Sequence, residues 1–289
     1  MILLFKIIID SACDLPKKII EKFDIDILPF KIYIDNREYK DGININTKDV
    51  YKSMRNGKFP RTAQVSPTTF NKTFTNYARK GTSCLYIAFS SQLSGTFQTG
   101  IMVAKKVKKQ FPDFDINIID SKCGSTAIGL AAKKAAEMIE SGHSKTDIIE
   151  TVKFYTQHLE HIFTLDNLKY LQHGGRINKT KAFIGNILNI KPILNLQNGK
   201  ICLLKKVRGK KRVLDNIMKI MATRSKNIPG QTIGISHADD KELALKIKEM
   251  IKEKFEYNDF IINLVGSVLG VHLGIGGVGI FFLNKKPSN

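Results

Sequence analysis

Three adjacent small residues, Ser94-Gly95-Thr96, have the types and spacing to hold an anion. They close the polar stretch that begins at Ser90, after the apolar run Leu85–Phe89 and before a helix-like segment over Gln98–Gln110. A strand, a polar turn and a helix in that order put the turn at the carboxyl end of a strand in a parallel α/β sheet. There the first N–H groups of the helix face outward. Gly95 lets backbone come close to a ligand, and the hydroxyls of Ser94 and Thr96 are short donors without charge. The same residues also make a good N-cap for the helix that follows, and the stretch alone favours that plainer use.

A second candidate is His272. It lies in the closing segment Gly266–Ile280 among six glycines and many apolar residues. A histidine there is either a core residue with a backbone partner or a group presented to a ligand, and by itself the segment favours the core.

The scarce arginines carry more information than the lysines. Of 46 basic residues only eight are Arg, and the formal net charge is +20. The lysines fall on solvated helix faces, as at Lys105, Lys106, Lys108 and Lys109, without the concentrated patch or interleaved aromatics of a nucleic-acid binder. Nucleic acid is therefore not expected as a partner, and the charge leaves only a weak attraction to an anionic membrane surface. The four cysteines form no CxxC pair, which argues against a zinc site or a disulfide framework, and Cys123 reads as a plain small residue in a polar turn. No GxGxxG follows the first strand and no GxxxxGK[ST] occurs, so nucleotide binding by those devices is not expected. No apolar run reaches a membrane span, and Met1–Asp10 reads as a buried strand, so the expected location is the cytoplasm.

The elements that must position these residues alternate strand and helix. Strands are expected at Lys6–Asp10, Leu85–Phe89 and Ile116–Ile119, with Ile25–Ile34 extended. Helices are expected at Asp14–Phe23, Thr47–Asn56, Thr68–Arg79, Gln98–Gln110, Thr126–Ile139 and Lys145–Gln157. Tyr39–Gly42 reads as a turn and Arg61–Pro67 as a loop. Three strand-end loops offer hydroxyls at Ser11, at Ser94 with Thr96, and at Ser121 with Ser125, and they should meet on one sheet edge. A boundary is placed near residue 158. Beyond it come a strand at His161–Leu165, a short helix to His173, the break Gly174-Gly175-Arg176 and a helix at Lys179–Leu188. A hairpin of Ile190–Leu196 with Lys200–Val207, turning at Gln197-Asn198-Gly199, ends at Arg208. A helix at Lys211–Thr223, an α/β unit over Thr232–Val265 and a last strand at Ile280–Leu283 complete the chain.

Together these residues resemble the DegV family, bacterial proteins known as the fatty-acid-binding subunits of a two-component fatty acid kinase. The resemblance rests on Asp10-Ser11 with Asp14-Leu15, Thr62–Pro67, Ser91–Thr96, Asp120-Ser121, Gly174-Gly175-Arg176, Lys191-Pro192 and Val271-His272-Leu273-Gly274, in this order over nearly the whole chain. It implies an α/β fold of two domains, a parallel-sheet sandwich over 1–158 and a domain with a mixed sheet over 159–289, with the ligand between them. It implies that Thr62, Ser94, Gly95 and His272 hold a fatty-acid carboxylate while the acyl chain lies in an apolar tunnel. Arg176 and Arg208 match arginines near the entrance, tied to phosphoryl transfer or partner docking. No covalent cofactor or metal is expected on this chain; ATP and Mg²⁺ would belong to the kinase partner. Two departures are visible: Ile275 stands where proline is common, and Phe97 where tyrosine is common. A stand-alone lipid carrier or sensor is the alternative reading. A serine hydrolase using Ser94 and His272 is a more distant one, because no Gly-x-Ser-x-Gly elbow is present.

Overall fold

The computed structural model describes residues 5–166, 168–177, 190–225 and 228–287; the helix expected over 179–188 lies outside them. The first part of the chain runs β1 (Phe5–Asp10), α1 (Lys17–Lys22), β2 (Asp26–Leu28), β3 (Lys31–Ile34), β4 (Arg37–Lys40), α2 (Thr47–Arg55), β5 (Arg61–Ala63), α3 (Pro67–Arg79), β6 (Ser83–Ala88), α4 (Thr96–Gln110), β7 (Ile116–Asp120), α5 (Thr126–Glu140) and α6 (Lys145–His158). The remainder runs β8 (Leu159–Thr164), α7 (Lys169–His173), β9 (Ile190–Gln197), β10 (Lys200–Arg208), α8 (Lys210–Arg224), β11 (Ile233–His237), α9 (Lys241–Phe255), β12 (Phe260–Leu264), α10 (Ser267–Leu273) and β13 (Val278–Leu283).

The fold is α/β with two main sheets. One is parallel, in the order β2-β1-β6-β7, and the other is mixed, in the order β10-β9-β8-β13-β11-β12. Strands Ile7–Ile9 and Leu85–Ala88 are buried runs of branched residues, the pattern of a parallel sheet covered on both faces. Helix α5 does the covering between the sheets, touching β1 and β6 on one side and β8, β11 and β13 on the other. Its alanines at 127, 131, 132, 135 and 136 are all buried, and side chains that small let both sheets approach it. Helices α8 and α9 pack against the mixed sheet, where Val213, Ile217, Met221, Ile247 and Ile251 meet Ile162, Ile235 and Ile280. The largest apolar core includes Val265, Val268 and Phe281 as well as the parallel sheet, so the two parts of the chain share it.

A third sheet, β4-β3-β5, was not expected. The turn read at Tyr39–Gly42 is in part strand, and Arg61–Ala63, read as loop, pairs antiparallel with Lys31–Tyr33. Strands of three and four residues carry too little alternation to stand out in a sequence. The closing segment also hides a helix. Ser267–Leu273 is helical despite Gly270, because Tyr51 packs where a side chain at 270 would stand: a Cβ there would lie 2.7 Å from its hydroxyl oxygen. Helix α10 is thereby nested against α2, α7 and β5.

Candidate functional site

Between the sheets lies an apolar cavity of about 60 Å³. Its wall includes Phe89, Leu93, Phe163, Leu269, Leu273 and Phe281. Polar side chains reach it at His161, Ser125 and Ser236, and each of these is already engaged. Burial holds the His161 ring neutral, with its pKa lowered to about 4.

Two wall residues lead directly to the expected anion site. Leu93 precedes Ser94, and Leu273 follows His272. Around them the fold gathers residues more than 200 positions apart: Thr62 Oγ1 lies 2.8 Å from His272 Nε2. Arg176 closes the group, donating from Nε to the Leu93 carbonyl at 3.2 Å and from its guanidinium to the Gly174 carbonyl. Arg176 is exposed.

His272 is enclosed on its other side. Among the described residues its buried Nδ1 has no hydrogen-bond partner, and a Cβ added to Gly174 would lie 2.2 Å from that atom. Only glycine at 174 lets the backbone come so close. Desolvation, and secondarily the positive charge of Arg176, lowers the His272 pKa to about 4. The neutral ring has one N–H, and placing it on Nε2 spares a buried donor from going unpaired. Nε2–H then donates to Thr62 Oγ1, and the Thr62 hydroxyl proton is free for a ligand.

In the Ser94–Thr96 turn the N-cap of α4 is Gly95, which has no side chain to cap with, so neither hydroxyl serves as the N-cap acceptor. Thr96 N–H donates to Ser94 Oγ at 3.2 Å, and the two hydroxyls lie 2.8 Å apart. When Thr96 is the donor in that contact, the Ser94 proton is left for a ligand. Gly95 faces a residue that sequence reasoning missed, Gln64, whose Oε1 would lie 2.2 Å from a Cβ at 95 and whose Nε2 donates to Thr99 Oγ1 at 2.7 Å. The signal was present, since Gln64 is two residues from Thr62 and extended backbone puts such pairs on one face.

Arg208 stands apart. It is exposed at the end of β10, and no hydrogen bond or ion pair joins it to the other site residues among those described. The other end of the β9–β10 hairpin, not this one, touches the strand-end loops: Ser90 Oγ donates to the Gly199 carbonyl at 2.8 Å. Along nine residues of strand that separates Arg208 from Lys200 at the tip by about 26 Å.

The strand-end hydroxyls are engaged with protein partners, and two of the loops do meet, where Ser125 reaches Asp14. Ser11 Oγ accepts from Phe30 N–H and Ser121 Oγ from Cys123 N–H, while Ser125 bonds Asp14. Cys123 is buried, and desolvation pushes its thiol pKa far up, away from the reactive thiolate. A serine–histidine hydrolase pairing is not formed, because Ser94 engages Thr96 and His272 engages Thr62, with no carboxylate on Nδ1. Among the described residues no cluster of three His, Cys, Asp or Glu could hold a metal ion, and no helix is long and apolar enough to cross a membrane.

The family model described as an uncharacterised protein of the DegV family matches residues 4–285. A DegV domain-containing protein of Clostridium perfringens is 39% identical over 288 residues, 98% of this chain and 99% of that one. Two solved structures superpose with a TM-score of 0.84 at 29% identity. One is DegV, a fatty acid binding protein from Bacillus subtilis, with 97% of this chain and 99% of that chain covered. The other is a DegV lipid binding protein from Thermotoga maritima, with 98% and 99% covered.

Proposed function

Since the chain belongs to the DegV family, we propose that it binds a long-chain fatty acid and presents the carboxylate to an ATP-dependent kinase partner for acyl phosphate formation. The observation that carries the reading is the adjacency of the apolar wall and the polar cluster: Leu93 and Leu273 line the cavity, and Ser94 and His272 are their immediate chain neighbours. The relatives named as fatty acid or lipid binding proteins support the ligand class.

In this reading the division near residue 158 separates Thr62, Ser94 and Gly95 from His272, Arg176 and Arg208, and the carboxylate is held by groups from both parts. Thr62 and Ser94 donate their hydroxyl protons to it, Gly95 gives it room, and neutral His272 orients the Thr62 hydroxyl. A buried carboxylate without such partners would be costly. Neutral donors satisfy it and leave one oxygen nucleophilic, whereas a bidentate arginine would draw off that electron density. Exposed Arg176 is placed to offset charge on a transferred phosphoryl group, and exposed Arg208 to meet the partner. ATP and Mg²⁺ come with the partner.

Burying the acyl chain contributes roughly 0.8 kcal/mol per methylene, on the order of 10 kcal/mol for a long chain before the costs of association.

The test is to purify the protein from a heterologous host, extract it with organic solvent and identify the lipid by mass spectrometry. About one fatty acid per chain is expected, and mixing the loaded protein with a fatty acid kinase subunit, ATP and Mg²⁺ should give acyl phosphate. An empty protein that takes up no added fatty acid overturns the reading.

A further inference from the structure

Away from that cluster, a second polar group joins the two parts of the chain, and the proposed function does not use it. Asp14, in the loop between β1 and α1, is buried. Its Oδ2 lies 2.5 Å from Ser125 Oγ, and its Oδ1 accepts the Gly266 N–H at 2.7 Å. The Asp14 carbonyl accepts Asn263 Nδ2–H at 3.0 Å. From Ser125 the contacts run on to Ser236 Oγ at 3.0 Å, from there to Thr126 Oγ1 at 2.5 Å, and from Thr126 back to the Asp14 carbonyl at 3.4 Å. Gly266 N–H stands at the start of α10, the helix that carries His272 six residues and about 9 Å further on.

Counting protons shows what this ring requires. Its four oxygen–oxygen contacts have only three hydroxyl protons, from Ser125, Ser236 and Thr126. An ionised Asp14 leaves the longest contact, Thr126 to the Asp14 carbonyl at 3.4 Å, without a proton. A proton on Asp14 Oδ2 supplies the fourth: Asp14 donates to Ser125, Ser125 to Ser236, Ser236 to Thr126 and Thr126 to the Asp14 carbonyl. The backbone is also strained here. Ser125 holds φ 60°, ψ −147°, a conformation that non-glycine residues rarely adopt and that persists only where the surroundings enforce it. A Cβ at Gly266 would lie 2.8 Å from Asp14 Oδ1, so the contact is a close one by construction.

We infer that Asp14 is a positioning residue whose neutral carboxyl clasps the start of α10 to the N-terminal part of the chain, so that opening of α10 releases one proton to solvent and closing takes one up. The titratable groups facing Asp14 are Asp41 from the loop after β4, Tyr51 from α2 and its chain neighbour Cys13. None is a cation, and no Lys, Arg or His among the described residues pairs with its carboxyl. Desolvation raises the Asp14 pKa to about 7, outweighing the Ser125 and Gly266 N–H hydrogen bonds, which by themselves favour the charged carboxylate. Asp41 adds a smaller push in the same direction. The sign follows: closed α10 holds a proton that open, solvated Asp14 gives up above its ordinary value near 4. The clasp is strongest in acid, weakens between about pH 4 and 7, and loses nothing more above that.

The clasp concerns the chain alone; only its consequence, that opening of α10 moves His272 and exposes the ligand, rests on the proposed function. The test uses the full delipidated chain. Titration of the Asp14 carboxyl by ¹³C NMR should give a midpoint near 7. Hydrogen exchange of the 267–273 amides, corrected for intrinsic rates, should speed up by as much as tenfold per pH unit between about 4 and 7 and then level off. Asp14→Asn, whose amide can donate to Ser125 as the neutral acid does, should keep α10 protected across that range. An Asp14 midpoint near 4 overturns the inference, whether or not the variant folds, and so does unchanged pH dependence in Asp14→Asn. Because neither readout involves lipid, a chain that titrates as expected but takes up no fatty acid keeps the clasp and loses the function.

Discussion

The two ends of α10 are anchored in chemically opposite ways. At its start, a carboxyl from the first loop is buried among hydroxyls, and burial favours the protonated acid. Near its finish, an imidazole is buried against Gly174 and beside Arg176, and burial favours the unprotonated ring. Between about pH 4 and 7 burial favours the neutral form of both groups, and they get there by opposite proton movements. The Asp14 end has a partner for each oxygen, whereas the His272 end keeps one ring nitrogen unpaired and one threonine proton in hand. Of two similar-looking polar clusters, one has its carboxyl oxygens both engaged and the other keeps hydrogen-bonding capacity among the described residues.

The sharpest way to break that contrast is through pH. Neutral His272 means that the unfolded chain takes up a proton between pH 6.5 and about 4 that the folded chain refuses, so stability falls as pH falls through that window. Denaturant titrations should show wild type losing stability relative to His272→Gln by at most about 1.4 kcal/mol per pH unit there. Equal slopes for the two proteins would mean that the ring is not held neutral. A smaller effect should come from Gly174→Ala, whose new methyl must displace the His272 ring. A cost of about 1–3 kcal/mol in unfolding free energy is expected, with weakened lipid retention measured by mass spectrometry. Normal retention at full stability would remove the Gly174 contact from the account. The smallest effect on the fold is expected for Arg208→Ala, an exposed change within about 0.5 kcal/mol of wild type. It should spare lipid binding and slow only partner-dependent acyl phosphate formation; lost lipid with a normal partner response would place Arg208 at the carboxylate instead.

Much of this was legible along the chain, and the reasons for the remainder are specific. The parallel sheet announced itself through buried runs such as Ile7–Ile9 and Leu85–Ala88, and the β9–β10 hairpin through its Asn198-Gly199 turn. The edge pairing of β3, β4 and β5 was not visible, because such short strands are defined by their partners more than by their own pattern. Helix α10 was hidden by its glycine, whose propensity cost is overridden by packing against Tyr51. Gln64 was within reach of a period-two reading, while Gly174 as a wall for His272 was not, since nothing local ties residue 174 to 272.

The sequence by itself determined the alternation of strand and helix, the small-residue turn at 94–96 and the reservation of a few polar side chains for work other than solvation, because periodicity, turn chemistry and residue type are local properties. Only the tertiary structure decided which of those side chains meet. It brought Thr62 to His272 across 210 positions and Asp14 to Gly266 across 252, and burial there, which depends on every element packed around them, set the protonation of both.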